Sequence, residues 1–188
     1  MFRELKECLL KVFKVKRTIF IPTECVDFLK QIKHYFSYLF DLYGFEVVHG
    51  ESAKYGENCL IVLQSKDCRI KFYRTQGEVN LLFGTLLAHI GWENVVDGTR
   101  HWYYARSVID FIEKKPLNVK ELLQRIGGTV RTEDQQMAEL SARLKPLCNL
   151  VIQFFKKDTF EQRCQEYEKF EEEQNEEFRK QFENTIET

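Results

Sequence analysis

Residues 58–84 run NCLIVLQSKDCRIKFYRTQGEVNLLFG, three strand-like stretches parted by two short polar turns, and no other segment constrains the fold as much. Branched and aromatic side chains suit a pleated surface, while the residues at 65–67 and 76–77 are turn formers. A two-residue loop at Gln76 and Gly77 sets Arg74 opposite Val79, Phe72 opposite Leu81 and Ile70 opposite Phe83, which makes one face of that hairpin apolar. A three-residue turn through Ser65, Lys66 and Asp67 pairs Gln64 with Cys68 and Val62 with Ile70. That register adds Leu60 and Val62 to the apolar face and sets Cys59 opposite Tyr73. Helices must cover such a face. The other face mixes Arg69, Lys71, Tyr73 and Asn80 with Ile61, Leu63 and Leu82, and reads as partly covered or as an exposed binding surface.

The flanking segments supply the covering layer. FEVVHG, after Gly44, is a fourth strand. Residues 2–15 place Phe2, Leu5, Leu9, Val12 and Phe13 at helical spacing, TIFIP is extended, and a helix after Pro22 and Thr23 turns Val26, Leu29, Ile32, Phe36, Leu39, Phe40 and Tyr43 inward. GTLLAHIGWENVVDGTRHW is broken by glycines and fits a helix or a short strand or turn at each end. Trp102, Ala105, Val108, Ile109 and Ile112 then mark a helix, and VKELLQRI a short one. Thr132 and Gln135 form a capping box that opens a long helix, kinked at Pro146. The expected fold is α+β, an antiparallel meander of about four strands covered by helices, with a helical C-terminal half. Residues 1–157 form the domain, and 158–188 a charged helix carrying Phe160, Tyr167, Phe170, Phe178 and Phe182.

Hydrophobic residues make up 44% of the 188, enough to bury a core. Net charge is only −1, but residues 1–20 hold six basic and two acidic side chains whereas 156–188 hold six basic and eleven acidic ones. The two ends have opposite signs, an asymmetry suited to an intramolecular or intermolecular contact. The six cysteines show no CxxC pair, and no hydrophobic leader precedes them, so reduced thiols and a cytoplasmic location are expected. No run is long and apolar enough for a membrane span.

Chemistry is sparse. No phosphate-binding loop occurs, the four histidines stand apart without metal-ligand spacing, and no cofactor, metal or catalytic set is expected. Three groups of residues are binding candidates. Arg69, Lys71 and Tyr73 mark the mixed sheet face; Arg100 and His101 stand in a turn with Asp97 and Thr99 that has groups able to bind anions; Phe178 and Phe182 give the acidic helix more aromatic surface than solubility needs. The first reading is a protein-interaction module with a protein partner or a second copy of itself. A small hydrolase-like enzyme built around Arg100 and His101 is the alternative, and a nucleic-acid-binding accessory protein using the basic N-terminus with Arg69, Lys71 and Arg74 is weaker, since the chain lacks a basic excess.

The succession of a helix, YGF, a strand, NCLIVLQS, CRIKFY and QGEVNLLFG resembles small uncharacterised bacterial α+β proteins over residues 25–112. Some of these are accessory or immunity-like components of conflict systems. The resemblance implies a binding or inhibitory role and carries over no catalytic residue.

Overall fold

The computed structural model describes residues 19–53, 58–116 and 131–186, with side chains as far as Phe182. The helices expected at 2–15 and at VKELLQRI lie outside the described residues. A 3-10 turn at Thr23–Cys25 leads into α1 (Val26–Tyr35) and α2 (Ser37–Asp41), then strands β1 (Glu46–Ser52), β2 (Cys59–Gln64), β3 (Arg69–Thr75) and β4 (Glu78–Gly84). A small hairpin, β5 (Val95–Val96) with β6 (Thr99–Arg100), precedes β7 (Tyr103–Tyr104) and the helices α3 (Ala105–Glu113), α4 (Glu133–Leu144), α5 (Cys148–Phe154) and α6 (Phe160–Ile186). The main sheet is antiparallel in the order β1-β2-β3-β4-β7. The protein is therefore α+β as expected, with β7 as a strand beyond the four read from sequence.

The β3–β4 hairpin takes the expected register, Ile70 opposite Phe83 and Phe72 opposite Leu81. Its loop has φ of 52° at Gln76 and 77° at Gly77, the mirror-image turn whose twist matches the strands and which glycine enters without strain. The β2–β3 register differs from the expectation by one residue: Gln64 pairs with Arg69, Leu63 with Ile70 and Cys59 with Arg74. The turn holds four residues rather than three, because Ser65 N–H bonds to the Cys68 carbonyl at 3.0 Å and Ser65 Oγ accepts from Asp67 and Cys68 N–H. A one-residue slip exchanges faces. Ile61 and Leu63, not Leu60 and Val62, therefore join Ile70, Phe72, Leu81 and Phe83 in the main core, while Leu60 and Val62 enter a second cluster on the opposite face.

Helices cover the main face. Phe28, Ile32, Phe36 and Leu39 are fully buried, and the Phe36 ring meets Phe72 edge-on at 4.9 Å. Val26, expected inward, is exposed: it is the first residue of α1, and Cys25 before it and Phe28 after it take the inward positions. On α4 the capping box between Thr132 and Gln135 is complete. The Gln136 side chain accepts from Val79 N–H and donates to the Gly77 carbonyl, clamping α4 to the hairpin tip. Pro146 lies in a 3-10 turn, Lys145–Leu147, that separates α4 from α5. Trp102 lies before β7 rather than in a helix, and α3 starts at Ala105.

The cysteines depart from the expectation of free thiols. Cys25 and Cys59, 34 residues apart with Cα atoms 5.4 Å from each other, form a disulfide that ties the turn before α1 to the start of β2. Cys68, Cys148 and Cys164 are free. Structural disulfides persist in oxidising surroundings, so cysteine usage no longer argues for a reducing compartment.

Candidate functional site

The sheet's second face is covered by a strap, residues 85–102, that leaves the end of β4 and returns to begin β7. It closes tightly: a Cβ at Gly84 would lie 2.6 Å from the His101 carbonyl oxygen and 2.7 Å from the Ala88 methyl, so a side chain there would push the two ends of the strap apart. Beneath it Leu60, Val62, Leu82, Ala88 and Trp102 are buried, with Ile90 and Trp92 packed against them. Trp102 Nε1–H donates to the His89 carbonyl at 2.8 Å.

A loop laid over a sheet brings carbonyls with no ladder partner into a dry space, where each needs a donor. Lys71 supplies one. Its fully buried side chain donates from Nζ to the carbonyls of Gly91 (3.2 Å), Trp92 (3.3 Å) and Glu93 (3.2 Å) and to Asn94 Oδ1 (2.7 Å). The ammonium also lies 4.7 Å from the centre of the Trp102 ring, within cation–π range. Burial pulls Lys71 from its ordinary value down to about 8, against the upward pull of the Glu93 carboxylate. Arg69 donates to the Ala88 carbonyl and to Gln64 Oε1. Tyr73 shares a hydroxyl hydrogen bond with Tyr104 and meets Trp92 edge-on at 6.2 Å. Two of the expected sheet-face binders thus fasten the strap, and Tyr73 stands at its margin beside the half-exposed Tyr104.

Arg100 is engaged too. Asp97 and Gly98 turn the β5–β6 hairpin, and Arg100 projects from it to meet Glu171 of α6 at 2.5 Å, with its guanidinium 5.4 Å from the Tyr103 ring centre. Tyr167 O–H donates to the other oxygen of the same carboxylate. The His101 backbone N–H bonds to the Asn94 carbonyl. The two residues of the alternative hydrolase-like site therefore divide between a strut to α6 and a backbone closure of the strap.

Thiol chemistry has little support. Burial pushes Cys68 and Cys148 up to about 12, and burial likewise raises Cys164, whose Sγ lies 3.1 Å from Tyr103 Oη. These three stay protonated and weakly nucleophilic near neutral pH. A cleft lined by Leu81, Ile109, Leu140 and the charged Arg106, Glu139 and Arg143 has a cavity of about 10 Å³, the scale of a single water. Among the described residues no group of three or more His, Cys, Asp or Glu could hold a metal ion, and no helix is long and apolar enough to cross a membrane.

The remaining candidates lie on α6, whose two halves differ. In the first half Tyr103 sits among Phe155, Phe160 and Tyr167 at 5.6–5.9 Å, and Phe111 meets Phe154, Tyr167 and Phe170 at 5.5–5.9 Å. Phe170, against Phe111, and Glu171, paired with Arg100, carry this docking surface to the middle of the helix. Further along, Phe178 and Phe182 stack on each other, centroids 5.7 Å apart, and Phe182 is 41% exposed. Gln174, Phe178 and Gln181 form a half-buried stripe, while Glu172, Glu173, Glu176 and Glu177 are exposed. Sequence spacing identified both halves, because apolar positions recur at intervals of three and four up to Tyr167 and again from Phe178.

Comparison with protein families, with curated proteins and with solved structures returns no match for this chain.

Proposed function

We propose that this protein is a protein-interaction module, an inhibitor, immunity-like or accessory subunit, that engages its partner through the distal half of α6. The observation that carries the reading is the stacked pair Phe178 and Phe182 on the distal stretch of α6 from Glu171 to Ile186, about 24 Å at 1.5 Å per residue. A polar, glutamate-rich helix end has little reason to hold two adjacent phenylalanines for its own stability, and helix ends with few buried contacts fray. A half-buried and an exposed ring beside carboxylates suit a basic, partly apolar groove, where charge speeds encounter and the aromatic anchors hold the complex. The lysine and arginine side chains that would serve nucleic acid on the sheet are fastened to the strap or, for Arg74, to Glu133.

The test compares the full chain with a version ending at Gln174 and with Phe178→Ala/Phe182→Ala. Both variants should melt within a few degrees of the parent and lose most of a stoichiometric partner in affinity capture. A large drop in melting temperature with undiminished capture would assign the distal helix to the protein's own core instead.

A further inference from the structure

We infer that the Cys25–Cys59 disulfide is a thiol-exchange switch: a dithiol reductant attacks Cys25 Sγ, Cys59 leaves as a thiolate held by Arg74, and the turn before α1 is released from the sheet. The two sulfurs are not equivalent. Cys59 and Arg74 stand opposite each other across β2 and β3, and Arg74 Nη2 donates to Cys59 Sγ at 3.8 Å. The Arg74 side chain is only 13% exposed, so water screens its charge weakly, and a cation beside a thiol lowers the thiol's pKa. Each sulfur also has a backbone carbonyl oxygen at 3.4 Å, that of Glu51 for Cys25 and that of Glu24 for Cys59, which disfavours negative charge on sulfur. The guanidinium therefore decides which sulfur leaves, since the thiol of lower pKa is the better leaving group.

Position points the same way. Cys59 opens a strand flanked by β1 and β3, whereas Cys25 closes a three-residue 3-10 turn whose Thr23 and Glu24 are exposed. Both cysteines are fully buried, so attack waits on opening of that turn. A single 3-10 turn has poorer hydrogen-bond geometry than an α-helix, and surface pieces of this kind open locally at low cost. Exchange then runs in two steps. One thiolate of the dithiol bonds to Cys25 Sγ while the Cys25–Cys59 bond breaks, its electron pair going to Cys59 Sγ. The second thiolate attacks the reductant sulfur bound to Cys25, closing the reductant's own disulfide and expelling Cys25 as a thiolate that takes a proton from water. Two electrons pass from the dithiol to the protein. The turn, and with it Ile21, whose Cδ1 lies 2.6 Å from where a Cβ on Gly50 would stand, loses its covalent hold on β1 and β2.

Glu133 supplies a test of sign. Its carboxylate pairs with Arg74 at 3.1 Å and offsets part of the guanidinium's charge. Arg74→Met and Glu133→Gln both break that ion pair, yet they should move the switch in opposite directions, which loosening of the structure would not do. The full chain is equilibrated in mixtures of reduced and oxidised dithiothreitol, and the state of Cys25 and Cys59 is read by alkylation and peptide mass spectrometry. Arg74→Met should favour the disulfide about tenfold and Glu133→Gln the two thiols about threefold, with Arg74→Lys between wild type and Arg74→Met. A brief pulse of glutathione quenched in acid should leave its adduct on Cys25. Reduced protein should exchange amide hydrogens faster at 19–25 and 46–52 while β3 and β4 stay protected. Where Arg74→Met does not fold, Glu133→Gln and Arg74→Lys give the sign. Shifts of the same sign in the charge variants, an adduct mainly on Cys59, unchanged exchange at 19–25 after reduction, or a disulfide that yields only when the whole protein unfolds each overturns the inference.

Discussion

The two faces of the central sheet are covered by different means. On one face α1, α3, α4 and α5 lay apolar side chains over Ile61, Leu63, Ile70, Phe72, Leu81 and Phe83. On the other a loop does the covering, and a buried ammonium is needed beneath it. A helix satisfies its own backbone and can present hydrocarbon alone, whereas a loop arrives with unpaired carbonyls that must find donors once water is excluded. Lys71 rises from the middle of the sheet at the place where the strap's carbonyls converge. The difference teaches that a charged residue inside a strand pattern need not face solvent, provided the covering element is irregular.

The largest effect should come from the helical side. Phe72→Ala removes a fully buried ring that abuts Phe36 and should cost about 3–5 kcal/mol in chemical unfolding. A cost below about 1 kcal/mol would mean that this face is not the principal core.

Lys71→Met is the matching cut on the strap side. It keeps the volume and removes the donors, so about 2–4 kcal/mol should be lost, and hydrogen exchange should quicken at 89–96 while β3 and β4 stay protected. Equal loss of protection throughout the sheet would show that the strap is not a separate unit.

Much of this architecture was legible in advance. The Gln76-Gly77 loop fixed the β3–β4 register, and the Thr132 capping box placed α4. The β2–β3 register was misread because Ser65 closes a four-residue turn by side-chain hydrogen bonds that a count of turn residues does not reveal. A correcting signal was present: Cys59 to Leu63 is an unbroken apolar run, the mark of a strand buried on both faces, and all five residues are indeed fully buried. The Cys25–Cys59 disulfide escaped notice because pairs 34 residues apart depend on tertiary geometry, which spacing rules do not encode. Lys71 and Arg69 leave the sequence undecided between a partly covered face and an exposed one for a related reason. The element that covers them, 85–102, has almost no periodicity, so nothing in its sequence announced where it would lie.

A smaller effect concerns pH. Lys71 is held below its ordinary value, so the folded protein releases this proton before the unfolded chain does. Its contribution to stability is fully present above the ordinary lysine range and is lost as pH falls through about 8. Cys68 and Cys148 act in the opposite sense: raised to about 12 from 9.0, they contribute below 9.0 and lose that contribution as pH rises toward 12. Wild type and Lys71→Met share those thiols, so the difference between their unfolding free energies isolates the lysine. Wild type should gain roughly 1 kcal/mol on the variant between about pH 7.5 and 9. A gain by the variant would mean that the carbonyl cage favours the ammonium more strongly than burial disfavours it.

The smallest expected effect tests whether the two covers are independent, and it falls where they touch. Arg100 leaves the strap's hairpin to pair with Glu171 of α6, and both side chains keep substantial access to water, 44% and 29% exposed. Partly solvated ion pairs contribute about 0–1 kcal/mol, so Arg100→Ala alone should cost no more than that. Its value lies in combination with Lys71→Met. Strap and helical layer are distinct if the strap is latched only from beneath, and the two losses should then add to within about 0.5 kcal/mol. A shortfall or excess above about 1 kcal/mol would mean that Arg100 transmits strap opening to the base of α6. The Phe178–Phe182 end of that helix would then be coupled to the strap through Glu171 and Tyr167, and the contrast between a helical face and a loop-covered face would give way to a single cooperative shell.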